Sequence, residues 1–98
     1  MDVSFGDDAL DDLETNPKAK TNWPESVVRA YRKKIDFIRQ AKDERDLYAW
    51  KALRCEKLLG DRSHQHSLRI NDQFRLIFEI RKGNPKNVIH VISIEDYH

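Results

Sequence analysis

The sequence predicts an α+β fold, with helices ahead of an antiparallel meander. Apolar residues recur at helical spacing through "NWPESVVRAYRKKIDFIRQAK", and from "HSLRI" onwards they alternate in three runs separated by short polar turns. Near the N-terminus the alternating "DVSF" reads as a short first strand. The order strand, helices, three strands predicts an N-terminal strand and helices packed on one face of a small antiparallel sheet.

Each element has its own local signal. "GDDALDDLE" predicts a helix with Asp7 or Asp8 as N-cap and acids in its first turn, where the helix dipole favours them. Asn-Pro marks "TNPKAKTN" as a loop. In the second helix Asn22 and Glu25 have capping-box spacing, with Pro24 in the first turn. Val28, Tyr31, Ile35, Ile38 and Lys42 form one stripe, with Val27 beside it. Arg29, Arg32, Lys33 and Arg39 fall on the other face and read as a solvated helix surface. "DERDLYAWKALR" predicts a shorter third helix with Leu47, Trp50 and Leu53 inward, and Gly60-Asp61 marks a turn.

The composition bounds the protein class. Ninety-eight residues predict one domain, 1–98, with a modest core and a thin stability margin. No apolar window is long enough to span a membrane, and "MDVSFGDDAL" lacks the basic and apolar regions of a secretory signal. Cys55 is the only cysteine, which excludes an intrachain disulfide; a cytoplasmic protein is expected. Charge is unevenly spread. Residues 1–14 hold six acids and no Lys or Arg, so residues 15–98 carry all 18 basic residues against 11 of the 17 acids. A basic body suits a polyanionic partner.

Hairpin parity sharpens that expectation. A two-residue turn at Asn71-Asp72 would put Leu68 and Ile70 on the same face as Arg75, mixing core with charge. A three-residue loop, 71–73, pairs Ile70 with Phe74 and restores a clean apolar face. It also sets Arg69 opposite Arg75 on the face away from the helices. Like charges opposed across a ladder are destabilising, so the pair needs a counter-anion, either a protein carboxylate such as Glu79 or Glu95, or a ligand.

The segment "LLGDRSHQHSLRINDQFRLIFEI" with the terminal "DYH" resembles the HigB branch of the RelE/ParE superfamily of bacterial toxins. Its pattern is Gly-Asp, Ser-hydrophobic-Arg-hydrophobic, a polar turn, aromatic-Arg-hydrophobic, and Asp-Tyr-His. The match covers roughly residues 55–98. The resemblance implies a RelE-like sheet with a concave basic face and no metal or other cofactor. It implies a toxin of a type II toxin–antitoxin system that enters the ribosomal A site and cuts mRNA. Its expected partners are mRNA, the ribosome and a cognate antitoxin, HigA-like with a helix-turn-helix domain. Two departures stand out: Glu56 occupies the place of the family's commonest catalytic histidine, and His64 and His66 replace a glycine and an aromatic residue.

Metal-free cleavage of RNA needs a base for the 2′-hydroxyl, cations for the pentavalent phosphate and an acid for the 5′-oxygen. Arg69 and Arg75, with Lys57 and His66, are the candidates for holding phosphate, because the guanidinium fork matches its oxygens. Asp96, Tyr97, His98 and Glu56 are the acid–base candidates, with Glu56 a base only if burial raises its pKa. Which of Glu56 and His98 is the general base stays open. His64 and His66 have i, i+2 spacing, but without a nearby cysteine or dense carboxylate set no metal site is expected. Two other readings remain: a ParE-like toxin that binds DNA gyrase without catalysis, and a basic module that binds RNA or protein.

Overall fold

The computed structural model describes residues 1–96. The chain forms β1 (Asp2–Phe5), α1 (Asp8–Thr15), α2 (Glu25–Gln40), α3 (Glu44–Ala49), β2 (Glu56–Lys57), β3 (His66–Arg69), β4 (Phe74–Arg81) and β5 (Val88–Asp96). Single 3₁₀ turns at Lys51–Leu53 and Gly60–Arg62 flank β2. The five strands lie in the order β1-β5-β4-β3-β2. The meander β3-β4-β5 is antiparallel as expected, whereas β1 adds to β5 in parallel. The sheet is therefore mixed.

The helices cover one face. Val28, Tyr31, Ile35 and Ile38 of α2 and Leu47 of α3 are buried with Leu68, Leu76, Phe78, Ile89 and Val91 of the sheet. Asp7 caps α1, its carboxylate accepting from the Ala9 N–H at 2.8 Å. The Met1 ammonium donates to the carbonyls of Ile38, Arg39 and Ala41 at 3.3, 2.8 and 2.6 Å. A positive group there satisfies the orphan carbonyls at the end of α2 and opposes its dipole. The buried Tyr31 hydroxyl donates to the Leu10 carbonyl at 2.8 Å, tying α2 to α1.

Several local expectations are corrected. No capping box forms at α2: Pro24 precedes the helix without a side-chain cap, and the Thr21 hydroxyl accepts from Trp23 N–H instead. Lys42 is exposed beyond the end of the helix. The third helix stops at Ala49, and Trp50, expected inward, is 45% exposed with its ring 4.4 Å from Phe37. Breaking the helix there still leaves Leu47 and Leu53 buried.

The β3–β4 connection confirms the odd loop. Leu68 pairs with Leu76 and Arg69 with Arg75, while the Ile70 N–H donates to the Phe74 carbonyl at 2.9 Å. The Asn71 carboxamide oxygen accepts from both Gln73 N–H and Phe74 N–H, which fixes this loop. One irregularity was not anticipated. Between β4 and β5 the register shifts, so that Ile77 pairs with Ser93 but Phe78 pairs with Val91, leaving Ile92 as an extra residue. The bulge reverses the alternation of β5. Ile89 and Val91 face the core before it, and Ile94 faces the core after it, with Ser93 and Glu95 on the opposite side.

Tyr31→Phe is expected to destabilise the protein by about 1–2 kcal/mol, because the buried hydrogen bond to the Leu10 carbonyl is lost. Leu59→Ser, at a side chain 90% exposed, is expected to fall within about 0.5 kcal/mol of the parent. Urea denaturation of the two variants tests this contrast, and equal midpoints would contradict it.

Candidate functional site

The face of the sheet away from the helices is built by alternation. Ser67 and Arg69 of β3, Arg75, Ile77 and Glu79 of β4, and Ser93 and Glu95 of β5 all point to it. Glu56 joins them from the edge, because it pairs with Ser67. Arg75 is the centre of this face. It is only 7% exposed, and its Nη2 donates to the Arg54 carbonyl and, at 2.9 Å, to Ser67 Oγ. Glu56 Oε1 lies 3.5 Å from the same nitrogen. Arg54 turns the chain into β2 through a left-handed conformation, φ 46°, which helps present its carbonyl.

The opposed arginines are neutralised by protein carboxylates, though not the two expected from the sequence. Arg69 pairs with Asp72 in the hairpin loop, and Arg75 with Glu56. Glu79 is engaged by Arg81 at 3.0 Å, with His64 Nε2 at 3.7 Å. Glu95 is gripped by Arg62, whose Nη1 and Nη2 donate to the two carboxylate oxygens at 3.0 and 2.6 Å. Arg62 Nε donates to Gln65 Oε1 at 2.9 Å, and Ser93 Oγ to Glu95 Oε2 at 3.0 Å. Arg62 thus pins the segment between β2 and β3 to this face, on which Ile77 is fully buried.

Not all the sequence candidates meet here. Glu56 is exposed, so the burial that a base role was expected to require is absent. Lys57 pairs with His66, and His66 pairs with Phe78, so both belong to the helix-side face at the sheet edge. The His66 ring stacks on Phe78 at 5.5 Å, and its Nδ1 forms a 2.6 Å hydrogen bond with the Tyr48 hydroxyl. Burial, then the Lys57 charge, lowers the His66 pKa. Burial also pushes the Cys55 thiol up to about 11, so it is protonated at neutral pH. Asp96 pairs with Phe74 and accepts from Gln73 Nε2 at 3.0 Å; the acid opposite Arg75 is Glu95. Tyr97 and His98 lie outside the described residues. Among the described residues no three His, Cys, Asp or Glu side chains come together as a metal site would require.

Arg62 and Ser67 were missed from the sequence, and Glu95 was expected only as a counter-anion to the arginine pair. The signal for Glu95 was present: adjacent Val91 and Ile92 break the alternation of "VIHVISIE", as a bulge does. Nothing in the residue pattern linked Arg62 to a position 33 residues away.

A mixed sheet backed by helices on one face is a fold found among small bacterial toxins. The chain superposes on the YoeB/ParE toxin from Agrobacterium tumefaciens with a TM-score of 0.64 at 19% identity, covering all of both chains. Against YoeB in its complex with YefM from Staphylococcus aureus the TM-score is 0.58 at 21% identity, covering 100% of this chain and 97% of that one. At these identities the likeness establishes the fold. The family model for RelE-like HigB toxins of type II toxin–antitoxin systems matches residues 3–98. Toxin HigB-1 of Vibrio cholerae serotype O1 is 32% identical over 79 residues, 81% of this chain and 83% of that protein. The chain belongs to the HigB-like toxin family.

The Arg62–Glu95 pair carries a pH signature. The hydrogen bond from Arg62, aided by Ser93, holds the Glu95 carboxyl below the usual range. A depressed folded-state pKa gives stability that is present above the unfolded carboxylate's value of about 4.3. That stability is lost as the pH falls through the lower folded value. Glu95→Gln is therefore expected to lose less stability than the parent on going from pH 7 to about pH 3. Denaturation midpoints at the two pH values test this, and parallel losses would contradict it.

Proposed function

We propose that this toxin is a metal-free endoribonuclease that cuts mRNA on the ribosome, and that its helix-free face binds the scissile phosphate. The observation that carries the reading is Arg75, buried on a face with no helix over it and fixed by the Arg54 carbonyl and Ser67, with an exposed carboxylate beside it. A guanidinium held in one place before substrate arrives stabilises the pentavalent phosphate without reorganising, an effect worth about 3–4 kcal/mol per donor.

In this mechanism the 2′-oxygen attacks the adjacent phosphorus as a base removes its proton. The P–O5′ bond then breaks as an acid protonates the leaving 5′-oxygen. The products are a 2′,3′-cyclic phosphate and a free 5′-hydroxyl. Arg75 holds the non-bridging oxygens, and Arg69 exchanges Asp72 for backbone phosphate. The acid and base come from the terminal Asp96-Tyr97-His98 and from Glu56. Lys57 and His66, at the sheet edge, bind flanking nucleotides. The cell compartment is the cytoplasm, where ribosomes translate. A cognate antitoxin restrains the toxin, in keeping with the YefM-bound state of the YoeB fold relative; a HigA-like protein with a helix-turn-helix domain fits the family.

Arg75 has a structural role that its sequence context did not suggest, so Arg75→Ala confounds folding with function. Arg75→Lys keeps a charge in place and removes the fork. It is expected to lose at least about tenfold in cleavage of ribosome-bound mRNA while remaining folded. Unchanged cleavage would count against phosphate binding, and growth arrest without cleavage would favour the gyrase-binding alternative.

Deleting Tyr97 and His98 is expected to abolish cleavage with a stability change of about 1 kcal/mol or less. Single-turnover rates for Glu56→Ala and His98→Ala rank the acid–base candidates, with His98→Ala expected to be the slower. A slower Glu56→Ala would reassign the chemistry to the sheet edge.

A further inference from the structure

Glu95 stands directly opposite Arg75 in the β4–β5 ladder, on the same face. Facing cross-strand positions are where an acid and a base ordinarily pair. Yet the Arg75 guanidinium is directed to the Arg54 carbonyl, Ser67 and Glu56, while both oxygens of Glu95 are taken by Arg62. Arg62 itself is fully committed: Nε bonds Gln65, and Nη1 and Nη2 bond Glu95. A guanidinium engaged along every edge within the protein is poorly placed to hold a phosphate.

From this arrangement we infer that Arg62 is a positioning residue that sequesters the Glu95 carboxylate and so keeps a second carboxylate, besides Glu56, off the Arg75 guanidinium. Without Arg62, the Glu95 carboxylate is left facing Arg75 across the ladder. A carboxylate paired bidentately with Arg75 occupies the donors that a phosphate needs. Arg62 therefore acts on the substrate through Arg75, and its importance depends on Glu95 being present. Its effect on cleavage rests on the nuclease reading above; its effect on Arg75 does not.

The test compares Arg62→Gln, Glu95→Gln and the double variant, with melting temperature as the control for folding. In single-turnover cleavage of ribosome-bound mRNA, Arg62→Gln is expected to fall about tenfold or more. The double variant is expected to return to within about twofold of Glu95→Gln alone, because the competitor is gone. A double variant as defective as Arg62→Gln would overturn the inference, since either a plain strut or a direct phosphate contact by Arg62 predicts that result.

The second arm needs no activity: the Arg75 Nε–H resonance in ¹⁵N-edited NMR spectra of the free toxin. It is expected to shift in Arg62→Gln and to return towards its Glu95→Gln position in the double variant. An Arg75 signal unmoved in Arg62→Gln would overturn the inference whatever the cleavage data show. Absence of cleavage by the parent protein would remove the nuclease reading and leave this arm to decide.

Discussion

Arg69 and Arg75 face each other across β3 and β4, where like charges repel, and the surrounding structure is arranged to tolerate that contact. Asp72 in the hairpin loop takes one guanidinium, and Glu56 on the edge strand lies beside the other. Ser67 and the Arg54 carbonyl then hold Arg75 in position. The hairpin loop, the short strand β2 and the left-handed turn at Arg54 thus have a common purpose. Each brings an acceptor to an arginine that β-sheet alternation would otherwise leave facing another cation.

The same face depends on one extra residue in β5. Without the bulge at Ile92, strict alternation would turn Ser93 and Glu95 towards the helices and Ile94 away from them. With it, the apolar residue reaches the core and the acid reaches Arg62. The Arg62–Glu95 pair then fastens the segment between β2 and β3 to the helix-free face, on which Ile77 is fully buried. The ion pair is partly exposed, so salt and acid weaken it more readily than they weaken the core.

The helices give the open face its rigidity from behind. Tyr31 ties α2 to α1 through a buried hydrogen bond, and the Met1 ammonium closes the carbonyl end of α2. Leu47, Leu53 and Leu68 continue the core beneath the sheet edge from which Glu56 projects. An arginine whose backbone is anchored to a packed core loses little freedom on meeting an anion. This is the physical link between the apolar pattern of the first half of the chain and the charged pattern of the second.

Residue order alone determined what depends on near neighbours. The α2 stripe as far as Ile38, a cap at Asp7 or Asp8, the three runs of the meander, the odd loop at 71–73 and the pairing of Arg69 with Arg75 all follow from local periodicity and parity. The terminal "DYH" and the motifs around Arg69 and Arg75 pointed to the toxin family. Tertiary structure decided the rest, because those choices balance groups far apart in sequence. Trp50 stayed partly exposed because Leu47 and Leu53 already filled the core. Lys57 and His66 went to the helix side because β2 pairs at Glu56–Ser67. Glu95, and not Asp96, stands opposite Arg75 because the bulge at Ile92 reverses the alternation of β5. Arg62 met Glu95 only when the chain had folded back across the sheet.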